Sequence, residues 1–376
     1  MEQQVKRSPF LCFLVIIGIA CAGCGKTTRL AENWVIGETA VDENCVYGAT
    51  LSGIQRVDKG GKRPVTLVPY SSENFEERQY PPGRIALDRD HVYWTQEHAP
   101  IGQYAVKRVL KEGGAPESFF RVEKPEFENP IGLAVDEENI YVLSFGPTSS
   151  SSIDWILDPL SSNYKGGALV KIPKSSGVPE VLISGLQAPR DLAMDETGLY
   201  WTEHGSYIEK FSHESDFVYQ GDGAVKKIPK TGGAALTLAS RQDGPSVIKV
   251  DGKEIYWMNQ GHYDHHNWTE GQGIISSLRP DKPVVHSAPP PWNLKSNFVL
   301  SPHFIYFQGV EFYGSPGLYG RPSHKYLLRI PRSGGAEQII YRSDHDILSL
   351  TSFANDLFWL EGVRGDVRRM KEPPVP

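Results

Sequence analysis

The chain has 376 residues, 39% of them hydrophobic, and a formal charge of −6 from 39 basic and 45 acidic side chains. A negative balance without a basic cluster excludes a nucleic-acid surface, because holding phosphates requires a positive field. Of the four cysteines only Cys45 lies beyond residue 24, which excludes a disulfide framework and a cysteine-built zinc site, while 37 glycines and 28 prolines point to short strands and turns.

The first 24 residues stand apart. Lys6 and Arg7 precede an uncharged apolar run from Phe10 to Ala20, followed by Ala22-Gly23-Cys24. The run is short for a membrane span and has the proportions of an export signal. The small residues before Cys24 resemble the lipobox of bacterial lipoproteins, although Cys21 occupies the place where that pattern usually has Leu. The resemblance implies a signal peptide over 1–24 and a lipid on Cys24. The remaining 25–376 would be one domain anchored to the outer membrane or cell surface, or periplasmic or secreted if the signal is simply cleaved. Ala20 to Thr27 also satisfies a relaxed phosphate-loop pattern. That loop must open a helix inside an α/β domain, and the repeats described next begin within about fifteen residues, too soon for one.

From Asp42 onward one pattern recurs seven times: an acidic or turn-forming position, then an aromatic five residues later. Asp42 leads to Tyr47, Asp88 to Tyr93, Asp136 to Tyr141, Asp195 to Tyr200, Asp251 to Tyr256, Ser301 to Tyr306 and Phe353 to Phe358. The steps are 46, 48, 59, 56, 50 and 52 residues, a period that belongs to propeller blades or solenoid units. Each unit predicts four strands. An apolar inner segment enters through a proline six residues before the acid (Pro82, Pro130, Pro189, Pro245), and Asp makes a tight turn into the aromatic strand. A third strand follows, as in Ala168 to Pro173 and Ala224 to Pro229, then a Gly-Gly or Ser-Gly hairpin and a short fourth strand. The last unit stops after its third strand, at Asp366 to Met370, whereas Thr28 to Ala31 precedes the first unit without a partner. The expectation is an all-β, seven-bladed propeller of four-stranded antiparallel blades, closed by an N-terminal strand completing the last blade.

Additional chain length falls mainly after second strands: Gly146 to Gly166, Gly205 to Gly221, Gly261 to Gly273, Val310 to Lys325, and more briefly Glu97 to Tyr104. In a propeller these connections surround one mouth of the channel, and long loops in compact domains are commonly functional. They carry Trp155, Tyr207, Tyr219, Tyr263, Trp268, Tyr313 and Tyr319 among polar residues. Such rings suit a peptide, glycan or protein ligand, or simply pack the loops on one another. Glu97-His98 and Glu203-His204 leave equivalent strands, and His262 and His265 occupy the next blade's connection. Imidazoles from neighbouring blades could hold a divalent metal, although the spacing matches no metal signature. Cys45, on an aromatic strand, reads as a small buried hydrophobe.

The segments Tyr93-Trp-Thr95, Tyr200-Trp-Thr202 and Tyr256-Trp-Met258, with the Val-Lys-x-Ile-Pro-Lys and Gly-Gly features, resemble YWTD-type propellers and their bacterial relatives over residues 36–371. The chain departs from the six-bladed form in having seven units. The resemblance implies an extracytoplasmic recognition scaffold whose acidic and aromatic repeat positions are structural. The resulting expectation is a non-enzymatic, monomeric binding protein of the bacterial envelope, partnered by an envelope protein, peptide or glycan. The alternative is a metal-assisted lyase or hydrolase with His204, His262 and Glu203 at the channel mouth.

Overall fold

The computed structural model describes residues 26–32, 38–50, 52–61, 63–70, 82–98, 103–121, 128–146, 166–212, 214–219, 221–259, 274–279, 282–287, 292–312, 322–362 and 365–372. These form seven four-stranded antiparallel sheets and one two-stranded ribbon, with no helix among the described residues. Five sheets are built from consecutive strands, such as Pro130–Val135, Asn139–Ser144, Gly167–Pro173 and Glu180–Leu186 in blade three, and in blade four the ribbon lies between the second and third strands. The seventh combines Ile347–Phe353, Asp356–Glu361 and Asp366–Lys371 with Thr27–Ala31. Thr27 lies opposite Met370 and Thr28 opposite Arg369, so the start of the propeller sequence completes its last blade as expected. That pairing covers an edge that would otherwise offer open backbone groups to another chain.

Strand alternation explains why Tyr and Trp occur side by side. Successive side chains point to opposite faces of a blade, and each face packs on a different neighbour. In blade two, Trp94 joins the cluster shared with Tyr47 and Ile54 of blade one, whereas Tyr93 joins Ile140 and Val170 of blade three. In blade four, Trp201 packs with Tyr141 and Leu169 of blade three and Tyr200 with Ile248 of blade five. The core is thus seven seam clusters around an axis, and burying each such ring contributes roughly 1.5–3 kcal/mol. Gly132 marks one seam's closest approach, since a Cβ there would stand 2.7 Å from that of Leu192 on the next inner strand.

The acidic position does three jobs at once. One oxygen of Asp88 caps the turn, accepting from the backbone N–H groups of Asp90 at 2.9 Å and His91 at 2.7 Å. The other accepts from the Tyr93 hydroxyl at 2.8 Å and pairs with Lys174 Nζ of blade three at 2.5 Å. The same latch joins Asp42, Tyr47 and Lys111, and again Asp136, Tyr141 and Lys230. The cation always precedes the hairpin glycines of the following blade, and Arg332 of blade six reaches Asp251 of blade five at 2.5 Å. Burial pushes the Asp88 carboxyl up, yet Lys174, Tyr93 and the two backbone donors outweigh it and hold it well below the usual carboxylate range.

Divergent copies keep the latch with altered chemistry. Ser301 replaces the acid in unit six, and Glu372 of blade seven supplies the carboxylate, accepting from the Ser301 hydroxyl at 2.6 Å and the Tyr306 hydroxyl at 2.7 Å. Unit seven has Phe353 and Phe358 in place of acid and tyrosine, and Lys59 of blade one lies 3.9 Å and 5.3 Å from their ring centres. A cation–π contact therefore stands where four other seams have an ion pair.

Candidate functional site: the long-connection face and the channel

The turns and hairpins carrying these latches occupy one face, and the connections after second strands occupy the other. Of the residues that the sequence assigns to those connections, Trp155, Tyr263, Trp268, Tyr313, Tyr319, His262 and His265 lie outside the described residues; Cys24 of the N-terminal segment does too. Between Gly205 and Gly221 the chain forms a two-stranded ribbon, Tyr207–Ser212 with Glu214–Tyr219, rather than the irregular loop expected from sequence. Tyr207 lies directly opposite Tyr219 in register; their backbone is described and their side chains are not. The β-favouring Tyr207, Ile208 and Phe211 before His213 and Phe217, Val218 and Tyr219 after it were the available strand signal.

The bases of two insertions are pinched. Gly146 has φ of 90°, and a Cβ there would meet Gly166 O at 2.2 Å; Gly205 has φ of 89°, and a Cβ would lie 2.6 Å from Gly223 N. Both positions require glycine, because the backbone is left-handed and the returning strand leaves no space. Asp222 fastens the ribbon base, accepting from the Ser206 backbone N–H and hydroxyl, each at 2.6 Å.

Two residues named by the metal and acid–base readings are fully described. Glu203 is buried and accepts from Trp201 Nε1 at 2.9 Å and from Lys226 Nζ at 2.9 Å. Its counterpart Glu361, also buried, binds Arg368 at 2.7 Å and accepts from the Tyr341 hydroxyl at 2.7 Å. A carboxylate two residues beyond the tryptophan, paired with a third-strand cation, is thus a device of the repeat. His204 is 2% exposed, its backbone N–H donates to Ala188 O at 3.0 Å, and its ring packs against Gly244 at the entrance to blade five. His98 ends a second strand opposite Gln103, and its side chain lies outside what is described. No group of three His, Cys, Asp or Glu side chains able to hold a metal occurs among the described residues.

The central channel is the large cavity, about 1270 Å³, and inner strands of all seven blades line it. Four residues before each turn position, the inner strands present Glu38, Arg84, Gly132, Asp191, Val247, Asn297 and Ser349. Several of these stitch neighbouring blades. Glu38 pairs with Arg84, Asp191 accepts from the Ile248 backbone N–H at 2.9 Å, and Asn297 Nδ2 donates to Leu350 O at 2.9 Å. The Ser349 and Thr39 hydroxyls lie 3.0 Å apart across the closing seam. Burial disfavours the Arg84 charge, but Glu38 and Asp191 more than offset this and raise its pKa further. Blades one, two and four thus contribute Glu38, Arg84, Arg190 and Asp191 to the lining and blade five Lys249 and Asp251, and Leu348 of blade seven is an exposed apolar side chain beside them. The cavity reaches the turn face, where Asp251, Ser301, Pro302 and Phe353 line its end. Sequence reasoning placed no site here; the non-repeating residues four before each turn were the signal.

No protein-family model matches the chain, and no curated protein matches it. Solved structures do. A catalytically inactive virginiamycin B lyase from Staphylococcus aureus with quinupristin is similar with a TM-score of 0.57 at 11% identity, over 92% of this chain and 99% of that one. An oligogalacturonate lyase from Vibrio parahaemolyticus gives 0.56 at 11% identity, over 93% and 94%. An oligogalacturonate lyase in complex with manganese gives 0.58 at 12% identity, over 94% of each. At such identities the likeness concerns architecture alone, and it agrees with the strand topology: the chain is a seven-bladed β-propeller.

Proposed function

We propose that the chain is a non-enzymatic, extracytoplasmic binding propeller of the bacterial envelope that takes a peptide, glycan or envelope protein on its long-connection face. One observation carries the reading. The recurrent acids, aromatics and cations are engaged in holding blades together, while the described insertion, the Tyr207–Tyr219 ribbon, leaves the opposite face on a pinched base. A scaffold whose repeat residues are structural carries recognition in its connections. The lipobox-like segment ending at Cys24 and the resemblance to YWTD-type propellers support placement outside the cytoplasm, with the lipid as membrane anchor. Capture from envelope extract and a glycan array test the reading. Replacing 206–220 with a short Gly-Ser link should leave the melting temperature near that of the parent and abolish capture. Capture that persists unchanged would refute the ribbon's part in it.

A second reading, a metal-assisted lyase or hydrolase, draws on the manganese-bound lyase of the same architecture. It would enlist His98, His204, His262 and His265, with Glu203 as acid–base partner. The pairing of Glu203 with both Trp201 and Lys226 weighs against that role. Metal analysis of the purified full chain decides it: manganese, zinc, calcium or iron at background levels would end this reading.

A further inference from the structure

The direction of one strand decides which face of the propeller an N-terminal anchor would hold toward a membrane. Thr27–Ala31 runs antiparallel to Asp366–Lys371, with Thr27 opposite Met370 and Ala31 opposite Val367. Third strands end at the turn face, and in blade seven Lys371 lies opposite Asp356, the first strand residue after that blade's turn. The chain therefore enters the propeller at the turn face and runs toward the long-connection face. Its place is that of an ordinary fourth strand at the outer rim. A Cβ on Gly61, in the blade-one hairpin, would lie 3.6 Å from Leu30 Cδ2, just as the hairpin glycines Gly113 and Gly232 approach Leu67 and Leu182 of the preceding blades. Only Gly25 and Lys26 separate Cys24 from Thr27. Three extended residues reach at most about 10 Å, so a lipid on Cys24 keeps the turn-face end of blade seven close to the headgroups.

The charges around that entry point fit a membrane surface. Lys26, Arg63 and Lys371 are exposed and carry no ion pair among the described residues. Lys26 precedes the entering strand, Lys371 ends the strand beside it, and Arg63 follows the blade-one hairpin, whose Lys59 O accepts from Arg369 Nη1 at 2.7 Å. The neighbouring carboxylates are engaged elsewhere: Asp356 binds Arg369, and Glu372 accepts from the Ser301 and Tyr306 hydroxyls. Uncompensated cations thus gather where blades seven and one meet, in a protein whose formal charge is −6. Basic groups beside a lipid chain strengthen its hold on anionic membranes.

We propose that the lipidated protein rests with the blade-seven-to-one corner of its turn face on anionic lipid headgroups, and that its long-connection face is directed away from the membrane. This orientation rests on the lipidation of Cys24 proposed above, and it leaves the Tyr207–Tyr219 ribbon open to partners. The test uses the full chain exported by a bacterial host, purified from membranes and reconstituted in vesicles of phosphatidylethanolamine and phosphatidylglycerol carrying an acceptor dye on the headgroup. A cysteine for the donor dye replaces either Asn355, exposed at the turn of blade seven, or Asp344, exposed on the long-connection side before the same blade's inner strand. Cys45, 4% exposed, stays unlabelled in the folded protein. Energy transfer should be at least twofold greater from Asn355→Cys than from Asp344→Cys. Adding Arg63→Gln and Lys371→Gln to Asn355→Cys should reduce that transfer, and so should replacing phosphatidylglycerol with phosphatidylcholine. Mass spectrometry of the N-terminal peptide separates the ways of failing. An unlipidated Cys24 would overturn the anchor and this orientation together. A lipidated Cys24 with equal transfer from both positions, or more from Asp344→Cys, would overturn the orientation alone. Transfer unmoved by both the charge variant and the lipid exchange would overturn the headgroup contact.

Discussion

At Asp88 a single carboxylate caps a turn, receives a tyrosine hydroxyl and binds the next blade's lysine, so its removal should be felt in three places. Hydrogen bonds to charged groups typically contribute about 1.5–3 kcal/mol, and Asp88→Asn should lower urea-unfolding stability by that order at pH 7. The pH dependence follows from the direction of the shifts. Asp42, Asp88, Asp136 and Asp195 all have folded-state pKa values below their ordinary ones. Their contribution is therefore complete above the unfolded value near ~3.9 and fades as pH falls through the folded values. Wild-type stability should be flat above about pH 5 and decline steeply below about pH 4, and the deficit of Asp88→Asn should shrink over the same descent. A deficit of equal size at pH 2.5 would refute the assignment. Cys45 offers an independent check. Burial first, then the neighbouring Asp58 carboxylate, pushes its thiol up to about 11, and it is 4% exposed. Peptide-mapped alkylation at pH 8 should leave Cys45 unlabelled in native protein and label it in urea. Rapid native labelling would contradict this burial.

At the scale of elements, the strand Thr27–Ala31 does what the missing fourth strand of blade seven would do. Leu30 is 5% exposed and packs with Phe358, Leu360 and Val367 of that blade and with Val46 and Val57 of blade one. Leu30→Ala should cost about 2–5 kcal/mol in urea unfolding, the range for a buried leucine, despite lying near the chain's start. A loss within error of zero would show that the strand is dispensable. Much of this was legible beforehand. The five-residue step from Asp to Tyr encodes a local turn, and local geometry survives in a one-dimensional pattern. The partner of each latch does not: Lys174 lies 86 residues beyond Asp88 and Lys230 lies 94 beyond Asp136. A hint was present, since Lys59, Lys111, Lys174, Lys230 and Arg332 all precede the hairpin glycines. Only the ring explains why, and only the ring turns the apparent decay of units six and seven into the Glu372 and Lys59 substitutes. The channel was hidden for the converse reason. Its lining comes from inner strands about fifty positions apart, with no shared chemistry for a pattern to reveal.

The whole molecule divides its labour between two faces. The turn face is tied blade to blade by carboxylate, phenol and cation, and the described Tyr207–Tyr219 ribbon leaves from the opposite face, so chain inserted there can vary without loosening the ring. This division depends on closure, because an open array would leave blades one and seven without a common seam. Thr28 and Arg369 are direct partners across that closure, where antiparallel Cα atoms stand roughly 4.5–5.5 Å apart, within reach of a disulfide. The most direct measurement is therefore made on Thr28→Cys/Arg369→Cys, with mild oxidation of the folded protein, peptide mapping and urea unfolding. The closed ring predicts an intramolecular link between the peptides containing 28 and 369, and a higher urea midpoint oxidised than reduced. Free thiols, or links only between separate molecules, would contradict it.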